Sequence, residues 1–171
     1  MSNYFIPTNN KLDASASSQT IQITRRVEFD AGHRLPAHYG QCRNMHGHRY
    51  VLEVSLTGKV TDHSGESKAG MLMDFSSIKT IINEVVVSKW DHAFIVYEKD
   101  TQVLNFLQSL PDHKTVVLNK VPTVENLALE AFDLLSKYIK NKPELGLSLN
   151  HLRLYETPNC WADVNGTHSQ E

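Results

Sequence analysis

From His46 to about Val60 the chain alternates: Tyr50, Leu52, Val54 and Leu56 occupy even positions, and Arg49, Glu53, Ser55 and Thr57 occupy odd ones. Successive side chains of a strand point to opposite faces, so this stretch predicts one long strand with an apolar face and a polar face. Ile21, Ile23, Val27 and Phe29, interleaved with Gln22, Thr24, Arg26 and Glu28, predict a second strand of the same kind.

The remaining elements follow from changes of period. Asp74 is an N-cap for a helix whose Phe75, Ile78, Ile81, Ile82 and Val85 follow helical spacing. A short helix is expected over Gln102–Leu110, a strand over Thr115–Leu118, and a helix opening at Pro122-Thr123. Leu127, Ala131, Leu134, Leu135 and Tyr138 form the stripe that this helix buries. A last strand covers Leu149–Tyr155 and ends at Pro158. Long alternating strands before and between helices predict an α+β layer, an antiparallel sheet with helices on one face. Its edge strands need covering, and association between copies is one way to cover them. Residues 1–19 and 165–171 are polar and read as tails flanking a single domain over 20–164. Thr61 to Gly70 reads as a turn region.

Composition removes several function classes. A net charge of −2 gives no basic footprint for nucleic acid or for a membrane surface. No apolar run reaches the length of a membrane span, and the first residues lack the basic and apolar regions of a signal peptide, so the expected location is the cytoplasm. Two cysteines, Cys42 and Cys160, do not make a disulfide framework. Nine histidines, by contrast, are more than such a composition needs.

His46-Gly47-His48 places two imidazoles on one face of a strand, the face of Tyr50, Leu52, Val54 and Leu56. Gly47 between them permits a close approach by backbone or ligand. His33 follows the first strand in Ala31-Gly32-His33-Arg34-Leu35, in phase with Val27 and Phe29. A neighbouring antiparallel strand would bring it beside the pair. Three neutral imidazoles with an open fourth position are the donor set of catalytic zinc. Cys42, four residues before His46, has three readings: a fourth ligand, a small core residue, or a thiolate acting as nucleophile or base beside Arg43. Glu156 shares a strand face with Leu152 and Leu154, and a carboxylate at the end of an apolar face needs a partner. Asp91-His92 reads, by itself, as a solvated turn after a helix.

Ala31-Gly32-His33-Arg34-Leu35, followed by Cys42-Arg43-Asn44-Met45-His46-Gly47-His48, resembles the signature of 6-pyruvoyltetrahydropterin synthases and the related 6-carboxytetrahydropterin synthases. The resemblance continues in Met73-Asp74-Phe75, Asp91-His92, Pro122 to Ala128 and Tyr155-Glu156-Thr157, and covers roughly residues 21–164. It implies the tunnelling fold, a four-stranded antiparallel sheet with helices on one side, whose trimers close into a barrel and stack as hexamers. It implies zinc (Zn2+) on His33, His46 and His48, a pterin triphosphate substrate (7,8-dihydroneopterin triphosphate), and active sites between subunits. It also implies roles for single residues: Cys42 as proton-abstracting base, His92 oriented by Asp91 as proton relay, Glu156 as anchor for the amino-pyrimidinone edge of the pterin, and Thr123 as both pterin contact and N-cap. Arg26, Arg34, Arg43 and Arg49 are candidate contacts for the triphosphate, and the sequence does not choose among them.

The three residues between Cys42 and His46 resemble the carboxy branch, in which the side chain is cleaved with release of acetaldehyde. The pyruvoyl branch, and a non-enzymatic zinc or pterin-binding protein with Cys42 as closing ligand, are the alternatives.

Overall fold

The computed structural model describes residues 19–60 and 70–166. Most of the Thr61–Gly70 turn and of the two tails therefore lies outside the described residues. Strand β1 (Thr20–His33) pairs antiparallel with β2 (His46–Lys59), from Thr20 opposite Lys59 to His33 opposite His46. Helix α1 (Phe75–Ile82) runs on through a π-turn at Asn83–Val87 into the short α2 (Ser88–Trp90). Then come β3 (Ala93–Tyr97), α3 (Thr101–Gln108), β4 (Thr115–Leu118), α4 (Val124–Lys140), β5 (Leu147–Thr157) and β6 (Cys160–Asn165).

The six strands form one sheet in the order β4-β3-β1-β2-β5-β6. The pairs β1–β2, β2–β5 and β5–β6 are antiparallel, whereas β3 lies parallel to β1 and to β4. The sheet is therefore mixed and six-stranded, not purely antiparallel and four-stranded as expected. Two strands account for the difference. Ala-Phe-Ile-Val-Tyr of β3 is apolar throughout because both its faces are covered, and such a run carries no period-two signal. β6 is a short edge strand and extends through Asn165, one residue into the stretch read as a tail.

One face of the sheet carries the core. Phe29, Tyr50, Leu52, Val54, Leu152 and Leu154 are buried there against Ile78, Ile82, Val86 and Trp90 and against Leu127, Ala131 and Leu135 of α4. Phe29 stacks on Tyr50 at 5.3 Å between ring centroids and meets the edge of Trp90 at 6.0 Å. Capping holds the helices in place. The Asp74 carboxylate accepts from the Ser76 N–H, and the Thr123 hydroxyl accepts from the Asn126 N–H at 3.3 Å.

One helix departs from the expected single layer. Ile95 enters the main core, but its neighbour Val96 packs with Val103 and Leu107 of α3. Adjacent strand residues point to opposite faces, so α3 covers the other side of β3. Arg34, just after β1, ties α3 down by a paired contact with Asp100, its Nε and Nη2 each donating to a carboxylate oxygen at 2.5 Å. No helix among the described residues is long and apolar enough to cross a membrane.

Candidate functional site

The core face of β1 and β2 ends in histidines. Antiparallel register sets His33 opposite His46, and strand period puts His48 on the same face. Their ligand nitrogens lie within 4.8 Å of one another, with ring centroids 4.6–5.2 Å apart. Two of the rings are fixed by backbone. Nδ1 of His33 is 2.7 Å from the Pro122 carbonyl, and Nδ1 of His46 is 2.8 Å from the Asn44 carbonyl. A carbonyl only accepts, so each Nδ1 carries the proton and each Nε2 keeps its lone pair. Nε2 of His33 is fully buried without a hydrogen-bond partner. Burial depresses the His33 imidazole to about pKa 4, despite the opposing pull of the Pro122 carbonyl, and burial also lowers His48. Neutral imidazoles with backbone-oriented rings are what a divalent metal requires of its ligands. The residues present fit such an ion.

Gly47 earns its place by sterics: a Cβ there would stand 2.9 Å from the Ala31 carbonyl oxygen. A Cβ on Gly32, its cross-strand partner, would stand 2.7 Å from the Phe94 ring. The close backbone approach expected at Gly47 is thus real, and the approaching group is β1.

Glu156 joins the histidines. Its Oε1 lies 3.5 Å from Nε2 of His33 and 3.9 Å from Nε2 of His48. A bridge to Arg153 is absent, because Arg153 pairs with Asp163 at 2.6 Å on the other face. Asp91 and His92 form a second group, with Nδ1 of His92 3.0 Å from the Asp91 carboxylate. Asp91 also accepts from the Asp30 N–H at 3.0 Å, and that backbone bond holds its carboxyl below the usual range. His92 adopts φ 58°, and its own N–H donates to the Asp30 carbonyl at 2.6 Å. The pair is a turn after a helix, as its sequence suggests, and it is also pinned to β1. A cavity of about 490 Å³ is lined by both His92 and His48. A second cavity, about 630 Å³, is lined by His48, Glu156 and Tyr155.

Two expected site residues stand apart from these groups. Cys42 lies half-buried in a 3-10 turn, its carbonyl accepting from the Leu35 N–H at 2.8 Å; its thiol does not belong to the three-histidine cluster, and it is not paired with Cys160. Thr123 caps α4 next to the Pro122 carbonyl that holds His33. Of the four arginines, Arg34 is committed to Asp100, Arg49 to Asp30 at 3.1 Å, and Arg26 approaches Glu28 at 3.6 Å. Sequence reasoning missed Asp30, Arg49 as its partner, and the carbonyls of Asn44 and Pro122. The Asp30–Arg49 pair had a signal, since equal phase in two adjacent strands makes them cross-strand neighbours. The carbonyls had none.

The sequence matches the profile of the family described as 6-pyruvoyl tetrahydropterin synthase over residues 22–167. A 6-carboxy-5,6,7,8-tetrahydropterin synthase of Rickettsia felis is 36% identical over 150 residues, which cover 84% of this chain and 99% of that one. A 6-pyruvoyl tetrahydrobiopterin synthase of Dictyostelium discoideum is 32% identical over 159 residues, covering 87% and 98%. The solved structure of the Caenorhabditis elegans 6-pyruvoyl tetrahydropterin synthase superposes with a TM-score of 0.60 at 26% identity, covering 87% of this chain and 97% of that one. On the profile match and these identities, the chain belongs to the 6-pyruvoyl tetrahydropterin synthase family.

Proposed function

We propose that the chain is a zinc-dependent 6-carboxy-5,6,7,8-tetrahydropterin synthase, a lyase that converts 7,8-dihydroneopterin triphosphate and water to 6-carboxytetrahydropterin, acetaldehyde and triphosphate. The observation that carries this reading is the set of three converging imidazoles, with the buried and unpaired Nε2 of His33 among them. His33, His46 and His48 would hold the zinc, which supplies Lewis-acid polarisation of the substrate's side-chain oxygens. Relatives named for the carboxy reaction support this branch, as does the spacing from Cys42 to His46. The Dictyostelium relative, named for the pyruvoyl branch, supports the second reading.

In this reading Cys42 removes the proton from carbon beside the hydroxyl. Its thiol lies outside the histidine cluster, which favours a base over a closing ligand. His92, steadied by Asp91, returns the proton, and its cavity is shared with His48. Glu156 receives the paired N–H groups of the pterin edge, and Thr123, the N-cap of α4, is a weaker contact for the pterin. Open edges support assembly into a trimeric barrel and a hexamer: β3 pairs with β1 only at Ala31–His33, leaving the outer side of the rest of β1 for a neighbouring β6.

The test is to incubate zinc-loaded protein with 7,8-dihydroneopterin triphosphate and follow the products by chromatography. Acetaldehyde with 6-carboxytetrahydropterin supports the reading. 6-Pyruvoyltetrahydropterin without acetaldehyde moves the chain to the other branch. A zinc-replete oligomer without turnover makes it a binding protein.

A further inference from the structure

The family resemblance assigns Glu156 to the pterin ring, yet its carboxylate lies at the histidines. Oε1 is 3.5 Å from Nε2 of His33 and 3.9 Å from Nε2 of His48. Ligand atoms bound at 2.0–2.2 Å around a tetrahedral zinc stand about 3.3–3.6 Å apart. The oxygen is therefore close to the separation that a fourth ligand keeps from two of the three imidazoles. The rotatable torsions of the Glu156 side chain let it adjust its approach to the third imidazole, His46.

The fold brings the carboxylate there by register. Val51 pairs with Tyr155, so Glu156 falls beside Tyr50 on the face that carries His48 and His46. Two buried polar atoms at this end of the face lack partners, Nε2 of His33 and the Tyr50 hydroxyl. The Glu156 side chain is only 23% exposed, and its neighbouring cation Arg153 is occupied by Asp163. A half-buried carboxylate facing neutral imidazoles is poorly compensated unless a cation sits between them.

We propose that Glu156 is an exchangeable fourth ligand: without substrate its carboxylate closes the metal site of His33, His46 and His48, and an arriving pterin draws it away with its two parallel N–H groups. This rests on the reading of the chain as a pterin synthase with a metal on the three histidines. Opening the site then depends on the ring and not only on the side chain of the substrate. A diol or phosphate without the amino-pyrimidinone edge meets a closed metal, which is a source of specificity. The exchange trades one metal–oxygen contact for two charge-assisted hydrogen bonds, so neither state strands the carboxylate.

Cobalt(II) in place of zinc reports the ligand set through visible absorption. Wild type, Glu156→Gln and Glu156→Asp are loaded with Co2+, and zinc affinity is measured in parallel by competition with a chelator. The expected result is a different band for Glu156→Gln than for wild type, and zinc binding weaker by about tenfold or more, since even outer-shell partners of a metal contribute roughly 10–100-fold. Dihydroneopterin, which lacks the triphosphate leaving group, should shift the wild-type spectrum by displacing the carboxylate, and the resulting band should resemble that of Glu156→Gln with the same pterin. Glu156→Asp keeps the charge and shortens the arm. Loss of affinity there too supports ligation, whereas wild-type affinity reduces the role to a general electrostatic one and overturns it. Identical spectra and affinities in all three proteins, with turnover intact in wild type, overturn the exchange and leave the proposed function standing. A wild type that binds neither ion overturns both.

Discussion

Two clusters sit on the same pair of strands, in adjacent rows and on opposite faces. His33, His46 and His48 belong to the core face, where burial lowers the pKa of His33 and His48 and backbone carbonyls hold Nδ1 of His33 and His46, leaving Nε2 free. Asp30 and Arg49 belong to the other face, and Asp91 and His92 gather around Asp30 from the turn before β3. There the charges are paired and open to water: the His92 side chain is 77% exposed. The Arg49 guanidinium holds Asp30 below the usual carboxylate range, and the Asp30 N–H does the same for Asp91. The difference shows what strand alternation achieves. A metal ligand must be deprotonated and starved of competing cations, while a proton relay needs a charged partner and solvent. One residue of register separates the two environments.

Replacing a histidine breaks the comparison most severely. His46→Ala should lower zinc affinity by more than roughly 100-fold, beyond the range of outer-shell changes, and turnover should fall with it. Metal content per chain after gel filtration checks this. A variant that keeps one zinc per chain would move the metal elsewhere. Cys42→Ala sharpens the same contrast from outside both clusters. It should retain zinc and lose about 10²–10⁴ in kcat, the range of a positioned base. Parallel loss of zinc would instead return Cys42 to the ligand set.

The parts that the sequence made readable are those that depend on local period. The alternation of β1 and β2, the stripe of α4 and the caps Asp74 and Thr123 all appear where the spacing puts them. The same alternation brought His33, His46 and His48 to one face. What escaped depends on contacts distant in sequence. β3 is uniformly apolar, so neither its parallel pairing with β1 nor α3 on its far side left a periodic trace. The proximity of Glu156 to His33 follows from the β2–β5 register, which shifts at a bulge between Ser55 and Leu56 and has no local signature. The carbonyls that orient His33 and His46 are backbone atoms, and no residue type announces them.

A milder change tests the exposed cluster. Asp91→Asn keeps the shape of the side chain and removes the charge facing His92, so it should cost about 10–100-fold in kcat, the range of a group that orients another. Zinc should stay. Wild-type kcat in Asp91→Asn would remove Asp91 from the relay and leave its bond to the Asp30 N–H as its whole role.

The smallest effect concerns the fold without metal. In zinc-stripped protein burial holds the folded-state pKa of His33 at about 4, against about 6.5 for an ordinary imidazole. Between those values the unfolded chain binds a proton that the folded chain refuses, so stability falls as pH falls. From pH 6.5 to 5.5 the loss from this one group is about 1 kcal/mol. Asp91 gives the same sign in a lower window: its folded pKa is lowered below 3.8, so its contribution is complete at neutral pH and disappears as pH falls through the carboxylate range. Urea unfolding of chelator-treated protein at the two pH values, with His33→Asn as reference, isolates the first window. The variant should show a shallower fall than wild type there and a similar fall below pH 4, where carboxylates dominate. Equal slopes between pH 6.5 and 5.5 would mean that His33 protonates freely in the metal-free fold, and the contrast between the two faces would then exist only with the metal in place.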